Sequence, residues 1–192
     1  MEAPAPLELR PDNTGLVLVD IQERLCAAMP SAEVARASRS WIALIEMAGR
    51  LRLPVAVSEQ YPKGLGPTLL MIREVAGKLS PPPRFVEKVD FSCCDVPLFA
   101  QYVEDSGRRN WIIAGMETHV CVYQTARGLR QRGLEVHVAS DAVLSRTRAN
   151  WEVGLGLMER AGCVISSTEA ALFDLVRRAE GEQFKALSRL IR

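Results

Sequence analysis

Six short apolar runs rich in Val, Ile and Ala alternate with longer segments of helical period along this chain. A strand followed by a helix, repeated without a break, is the pattern of βαβ units laid right-handed over a parallel sheet. The runs are Gly15–Ile21, Pro54–Ser58, Arg84–Lys88, Trp111–Gly115, Leu134–Ala139 and Cys163–Ser166. Between them, Pro30-Ser31 starts a helix that is apolar at Val34, Trp41, Ile42, Ile45 and Leu51. A second helix is expected from about Thr68 to Val75, and a third, capped by Asp95 with Pro97 near its start, to Asp105. Further helices run from about Val120 to Gly133 and from Arg148 to Ala161, then one starts at Thr168 and a polar one closes the chain. The expected fold is α/β, with residues 1–192 forming a single domain. Its doubly wound, six-stranded parallel sheet has order 3-2-1-4-5-6 and helices on both faces.

Charge and hydropathy remove several function classes. Lys and Arg number 24 against 23 Asp and Glu, a net charge of +1, and both signs are mixed along the chain. A nucleic-acid or anionic-membrane binder would show a basic excess or stripe. No apolar run approaches the roughly 20 residues that span a bilayer. The opening Met1–Asn13 has neither the basic nor the apolar region of a signal peptide. Five cysteines without a Cys-x-x-Cys pair, and only two histidines, fit neither a disulfide framework nor a zinc site. The expectations are a cytoplasmic protein with reduced thiols, no nucleic-acid or membrane partner, and no metal.

In an open parallel sheet, ligands bind beyond the carboxyl ends of the strands, where strand order reverses. The polar residues at those ends are Asp20, Ser58-Glu59, Glu87-Lys88, the segment Met116–Cys121 that follows Gly115, and Ser140-Asp141. In the expected order, strands one and four flank the reversal, which brings Asp20 near Cys121, and the long Lys88 side chain reaches the same crevice. Cys121 stands at the start of a helix, where the dipole favours an anion. An ammonium about 4 Å away would add up to roughly 4 kcal/mol in the same sense. Lys88 is therefore expected to favour the thiolate, with Asp20 opposing it as part of a coupled pair. Asp20 would accept the thiol proton and later return it to the leaving group.

The run Gly115–Ala126, with Arg132–Val138 and Asp141-Ala142 after it, resembles the nucleophile segment of the isochorismatase-like cysteine hydrolases. Val19-Asp20-Ile21-Gln22 is similar to that family's strand-one Asp motif, and Glu87-Lys88 to its strand-three Lys. Glu59–Pro67 and Glu182–Lys185 most resemble the isochorismatase domain-containing branch. The likeness covers about residues 14 to 190.

This resemblance implies an Asp20–Lys88–Cys121 triad. It also implies a cis peptide at Met116–Glu117 and an oxyanion hole made by the backbone N–H groups of Glu117 and Cys121. It implies a small-molecule substrate, no cofactor, and a homo-oligomer. Candidates for the substrate pocket are Gln22, Glu59, Tyr61, Phe91 and His119. Nicotinamidases in this family carry metal-binding histidines after strand two; here that stretch reads Ser58-Glu59-Gln60-Tyr61, with no histidine. Gly154-Leu-Gly156 lies in a helical pattern and follows no strand, so it is not a dinucleotide fingerprint.

The function expected from these residues is cleavage of an amide or related C–N bond of a small molecule, through a thioester at Cys121. The alternatives are a vinyl-ether hydrolase that relies on the Asp, a noncatalytic interaction protein, and a thiol-redox protein in which Cys93 or Cys94 resolves an oxidised Cys121.

Overall fold

Strand β1 (Thr14–Val19) is buried at every position, as a Leu/Val run with a strand on each side must be. In the computed structural model, which describes residues 7–190, β1 is the centre of one six-stranded, all-parallel sheet. Residues 1–6, which belong to the Met1–Asn13 stretch tested for a signal peptide, and 191–192 lie outside the described residues. The other strands are β2 (Val55–Gln60), β3 (Arg84–Lys88), β4 (Asn110–Met116), β5 (Glu135–Leu144) and β6 (Val164–Ser166). Their order is β3-β2-β1-β4-β5-β6, so the reversal falls between β1 and β4, as expected.

Side chains alternate across the sheet, and each face carries its own core. Leu16 and Leu18 point to one side, where α2 (Ser31–Leu51), α4 (Leu70–Ala76), α8 (Thr168–Val176) and α9 (Gly181–Leu187) pack. That core is built around Trp41, Leu44, Ile45, Ile72 and Leu172. The Trp41 indole N–H donates to the Ala142 carbonyl at 2.7 Å, so its polar atom is satisfied inside the core. Val17 and Val19 point to the other side, against α5 (Pro97–Asp105), α6 (Tyr123–Gln131) and α7 (Arg148–Arg160). Two short helices, α1 (Glu23–Ala27) and α3 (Pro62–Leu65), lie in the loops after β1 and β2, where no helix is expected from the sequence. Among the described residues no helix is long and apolar enough to cross a membrane.

Several boundaries differ from the sequence expectation for identifiable reasons. Strand β5 does not end at Ala139 but runs to Leu144, with a register shift against β4 between Ile113 and Gly115. Its polar pair is tolerated because Asp141 accepts from Ser40 Oγ and from the Thr168 backbone N–H, both at 2.8 Å, which ties β5 to α2 and α8. Asp95 is not a helix cap: it ends a 3₁₀ turn, Cys93–Asp95, and Val96 precedes Pro97 at the start of α5. Helix α8 does start at Thr168, as expected, with Ser167 as its cap, whose hydroxyl accepts from the Ala170 N–H.

Gly115 sets how closely the two central strands can approach. It has φ 115°, and a Cβ there would sit 2.0 Å from the Val19 carbonyl oxygen. Only a residue without a side chain lets β4 come this near β1 just before both strands reach the candidate site.

Candidate active site

Asp20 follows the last residue of β1 with φ 51°, in the left-handed region that short polar residues tolerate best. Its carbonyl accepts from the Gln22 N–H at 2.8 Å, closing a tight turn at the strand end. The carboxylate is fully buried and both of its oxygens are engaged. Oδ1 accepts from Ser58 Oγ of β2 at 2.7 Å, and Oδ2 accepts from Lys88 Nζ of β3 at 2.7 Å. A buried carboxylate requires a partner for its charge and for its lone pairs, and here two neighbouring strands supply them.

Lys88 is not a charge at the rim, because its side chain is as fully buried as that of Asp20. Its ammonium has three protons to place. One goes to Asp20, a second to Gln60 Oε1 at 2.6 Å, and a third to the Phe91 carbonyl at 3.3 Å. Burial on its own would push the Lys88 pKa down. The Asp20 carboxylate and the nearby Cys93 and Cys121 thiols outweigh that, and the net direction is up.

Cys121 lies in a π-helical turn, Thr118–Val122, that continues into α6. Such turns recur at functional sites. The peptide before this turn, Met116–Glu117, is cis. Cys121 is 6% exposed, with its sulfur 3.9 Å from Gln60 Oε1 and near enough to Asp20 and Lys88 to feel both charges. Its thiol is pushed up to about 12, first by burial and next by the Asp20 charge, with Lys88 opposing. The expected push of Lys88 toward the thiolate is present but is outweighed by burial and by Asp20. Lys88 directs its protons to three oxygens, so its charge is largely neutralised by Asp20 before it reaches the sulfur. Cys121 is therefore a thiol beside a carboxylate.

The remaining candidates separate into different roles. Gln22, expected in the pocket, is fully buried and its amide is used by the backbone. Its Oε1 accepts from the Gln60 N–H at 2.7 Å, and its Nε2 donates to the Gln60 and Gly66 carbonyls at 3.0 and 2.7 Å. Glu59 accepts from the Thr68 N–H at 2.7 Å and holds the loop after β2 closed. Tyr61 and Phe91 are each about half exposed, on the two loops that leave β2 and β3 beside the buried Asp20–Lys88 pair. His119 Nδ1 is 3.1 Å from Ser145 Oγ, and Glu117 pairs with the Arg146 side chain at 3.1 Å. Both contacts brace the cis segment from the end of β5.

Gln60 is the residue that sequence reasoning missed, whereas its neighbour Ser58 is among the strand-end polar residues the sequence singles out. Both face the same side of β2, two positions apart, and Gln60 is in register with Lys88. That period-two relationship is present in the sequence, but a strand-end glutamine gives no chemical signal of its own. A second thiol, Cys93, is fully buried, and its pKa is pushed up by burial first and Asp20 next. All five cysteines are free and buried. Ser58–Tyr61 does not assemble a metal-ligand set: Glu59 is committed to Thr68, and the Tyr61 ring packs over Gly64. No group of three or more His, Cys, Asp or Glu that could hold a metal occurs among the described residues.

The sequence and the fold match a known family. A model of the Isochorismatase domain matches residues 14–170, and the chain belongs to the isochorismatase-like hydrolase family. Isochorismatase domain-containing protein 1 of Danio rerio is 39% identical over 149 residues, 78% of this chain and 51% of that protein. The chain thus spans about half the length of that curated relative. The solved structure of MAR1 ribonuclease from Caenorhabditis elegans is 35% identical with a TM-score of 0.87, covering 96% of this chain and 92% of that one. The YcaC gene product of Escherichia coli, described as an octameric hydrolase of unknown specificity, shares the fold. It has a TM-score of 0.88 at 22% identity and covers 98% of this chain and 91% of its own.

Proposed function

We propose that this chain is a cysteine hydrolase that cleaves an amide or related C–N bond of a small molecule through a thioester at Cys121. The observation that carries this is the convergence of Asp20, Lys88 and Cys121 in one buried cluster at the sheet's reversal point. Asp20 takes the thiol proton as the sulfur attacks the carbonyl carbon. The N–H groups of Glu117 and Cys121, on the cis segment and its π turn, receive the developing oxyanion. Asp20 then delivers its proton to the nitrogen, the C–N bond breaks, and ammonia or an amine leaves. Water, deprotonated by Asp20, attacks the thioester; the acid departs and the thiol is restored. Lys88 remains protonated throughout and keeps Asp20 ionised between these transfers. Every proton in the cycle is carried by these groups, so no cofactor is invoked.

The loops around this cluster would supply selectivity. Tyr61 and Phe91 offer two half-exposed aromatic faces for the apolar part of a substrate, with Glu59 and His119 as polar neighbours. A ribonuclease activity, which the name of the nematode relative would suggest, has less support in this chain. Its net charge is +1, and the Lys88 cation at the centre is neutralised by Asp20. Self-association is part of the proposal, supported by the octameric state named for the Escherichia coli relative. Sedimentation or light scattering of the purified chain tests it. Five reduced, buried thiols are in keeping with a cytoplasmic location.

The test is a panel of small amides, followed by ammonia release and by intact mass for a trapped acyl adduct. The expected result is turnover of at least one amide, an adduct that maps to Cys121, and loss of both in Cys121→Ala. Turnover that survives Cys121→Ala would overturn the thioester and direct attention to vinyl-ether chemistry centred on Asp20.

A further inference from the structure

The side chain of Gln60 is fixed at both ends, and the chemistry of its partners sets its orientation. Nε2 donates to the Val89 carbonyl at 2.8 Å, and Oε1 accepts from the Lys88 ammonium at 2.6 Å. A flipped amide would set NH₂ against an ammonium and oxygen against a carbonyl, so only one assignment satisfies both partners. The backbone of the same residue is held by the Gln22 amide. An oxygen anchored this firmly lies between the buried Lys88 cation and, 3.9 Å away, the Cys121 sulfur.

We propose that Gln60 is a positioning residue that ties the Lys88 ammonium to Asp20 and away from the Cys121 sulfur, so that the nucleophile rests as a thiol until a substrate carbonyl enters. The groups that face Cys121 are Asp20 beyond β1, Lys88 of β3 and Gln60 of β2. Of these, only Lys88 favours a thiolate. Its three protons are all assigned to oxygens, Gln60 Oε1 taking the one bonded at shortest distance. If that oxygen is removed, one buried N–H loses its partner. The sulfur is then the acceptor within reach, and it accepts best as the anion. The Gln60 carbonyl also presents its negative end to the sulfur, which further disfavours charge there. The gain for the protein is a nucleophile that ignores adventitious electrophiles and oxidants, which act on thiolates. This regulation deepens the proposed hydrolase mechanism and rests on it, but its test does not require turnover.

The experiment measures iodoacetamide modification of Cys121 in the 192-residue chain from pH 7 to 9.5, with peptide mapping, for the parent, Gln60→Met and Gln60→Glu, and for Lys88→Met with and without Gln60→Met. Methionine keeps the length and removes the strong acceptor; glutamate keeps the acceptor and adds a negative charge. The expected result for Gln60→Met is about tenfold faster modification at pH 7.5 and a pH profile displaced downward by about one unit. The expected result for Gln60→Glu is slower modification and a profile displaced upward. Acceleration by Gln60→Met that is equally large in the Lys88→Met background would mean simple access and would overturn the proposal, as would a rate at or below the parent's in a variant with native melting. Should Gln60→Met fail to fold, Gln60→Glu decides: a rate equal to or above the parent's overturns the proposal. Failure of the hydrolase mechanism reads differently, as missing amide turnover with the alkylation shifts intact.

Discussion

Lys88 Nζ and Asp20 Oδ2 meet at 2.7 Å with neither side chain accessible to water. A pair this enclosed cannot lose one member cheaply, because the survivor is left as an uncompensated buried charge. Lys88→Met is therefore expected to lower stability by about 3–5 kcal/mol as well as abolish turnover. Adding Asp20→Asn should recover much of that loss without restoring activity. Urea denaturation of the two single variants and the double variant checks this. A Lys88→Met midpoint equal to the parent's would show that the pair is not buried.

The thiol of Cys121, held at about 12 by burial and by Asp20, is protonated at neutral pH. Its modification in the native protein should be slow at pH 7 and rise about tenfold per pH unit through pH 9. Asp20→Asn removes the opposing charge and should speed alkylation while eliminating hydrolysis. Rapid, pH-independent labelling of Cys121 in the parent would contradict this.

Buried thiols also set the alkaline limit. Cys26, Cys94, Cys121 and Cys163 are each raised from 9.0 to about 12, chiefly by burial. Below about pH 9, both folded and unfolded chains keep these protons and the thiols contribute no pH dependence. Above it the unfolded thiols ionise first, the unfolded chain binds fewer protons, and stability falls. Each thiol contributes up to about 1.4 kcal/mol per pH unit. The raised Lys88 acts in the same direction at higher pH, since the ion pair is lost only as pH climbs through its folded value. Denaturation midpoints under reductant should be flat from pH 7.5 to 8.5 and drop by pH 10, with a smaller drop in Cys163→Val. Equal midpoints at pH 8 and 10 would refute this.

Two glycines of α7 should behave oppositely. A Cβ at Gly154 would lie 2.7 Å from the Thr118 carbonyl carbon and 2.8 Å from the His119 nitrogen, whereas Gly156 faces open space. Gly154→Ala should displace the π turn that carries Cys121, with a loss of stability and of kcat. Gly156→Ala should stabilise by about 0.5–1 kcal/mol through helix propensity alone. Thermal melts and turnover of the two variants separate them. Equal effects would mean that α7 does not support the turn.

The strand order and the placement of Asp20 beside the Cys121 segment were legible because apolar runs, their spacing and the reversal rule act locally and topologically. The protonation state of Cys121 was not, since it depends on how Lys88 divides its protons among Asp20, Gln60 and Phe91, and no spacing encodes that. Ser140-Asp141 read as the end of a strand because its partners, Ser40 and Thr168, are distant in the chain. Gln22 read as a pocket residue for the same reason: its partners lie 38 and 44 positions away.

That Gln22 clamp has a practical side. It fastens the backbone at Gln60 and at Gly66, the two ends of the segment that carries Tyr61 and α3. Those ends are ready-made graft points, and residues 61–65 can be exchanged as a cassette while the buried Asp20–Lys88–Cys121 cluster beneath stays in place.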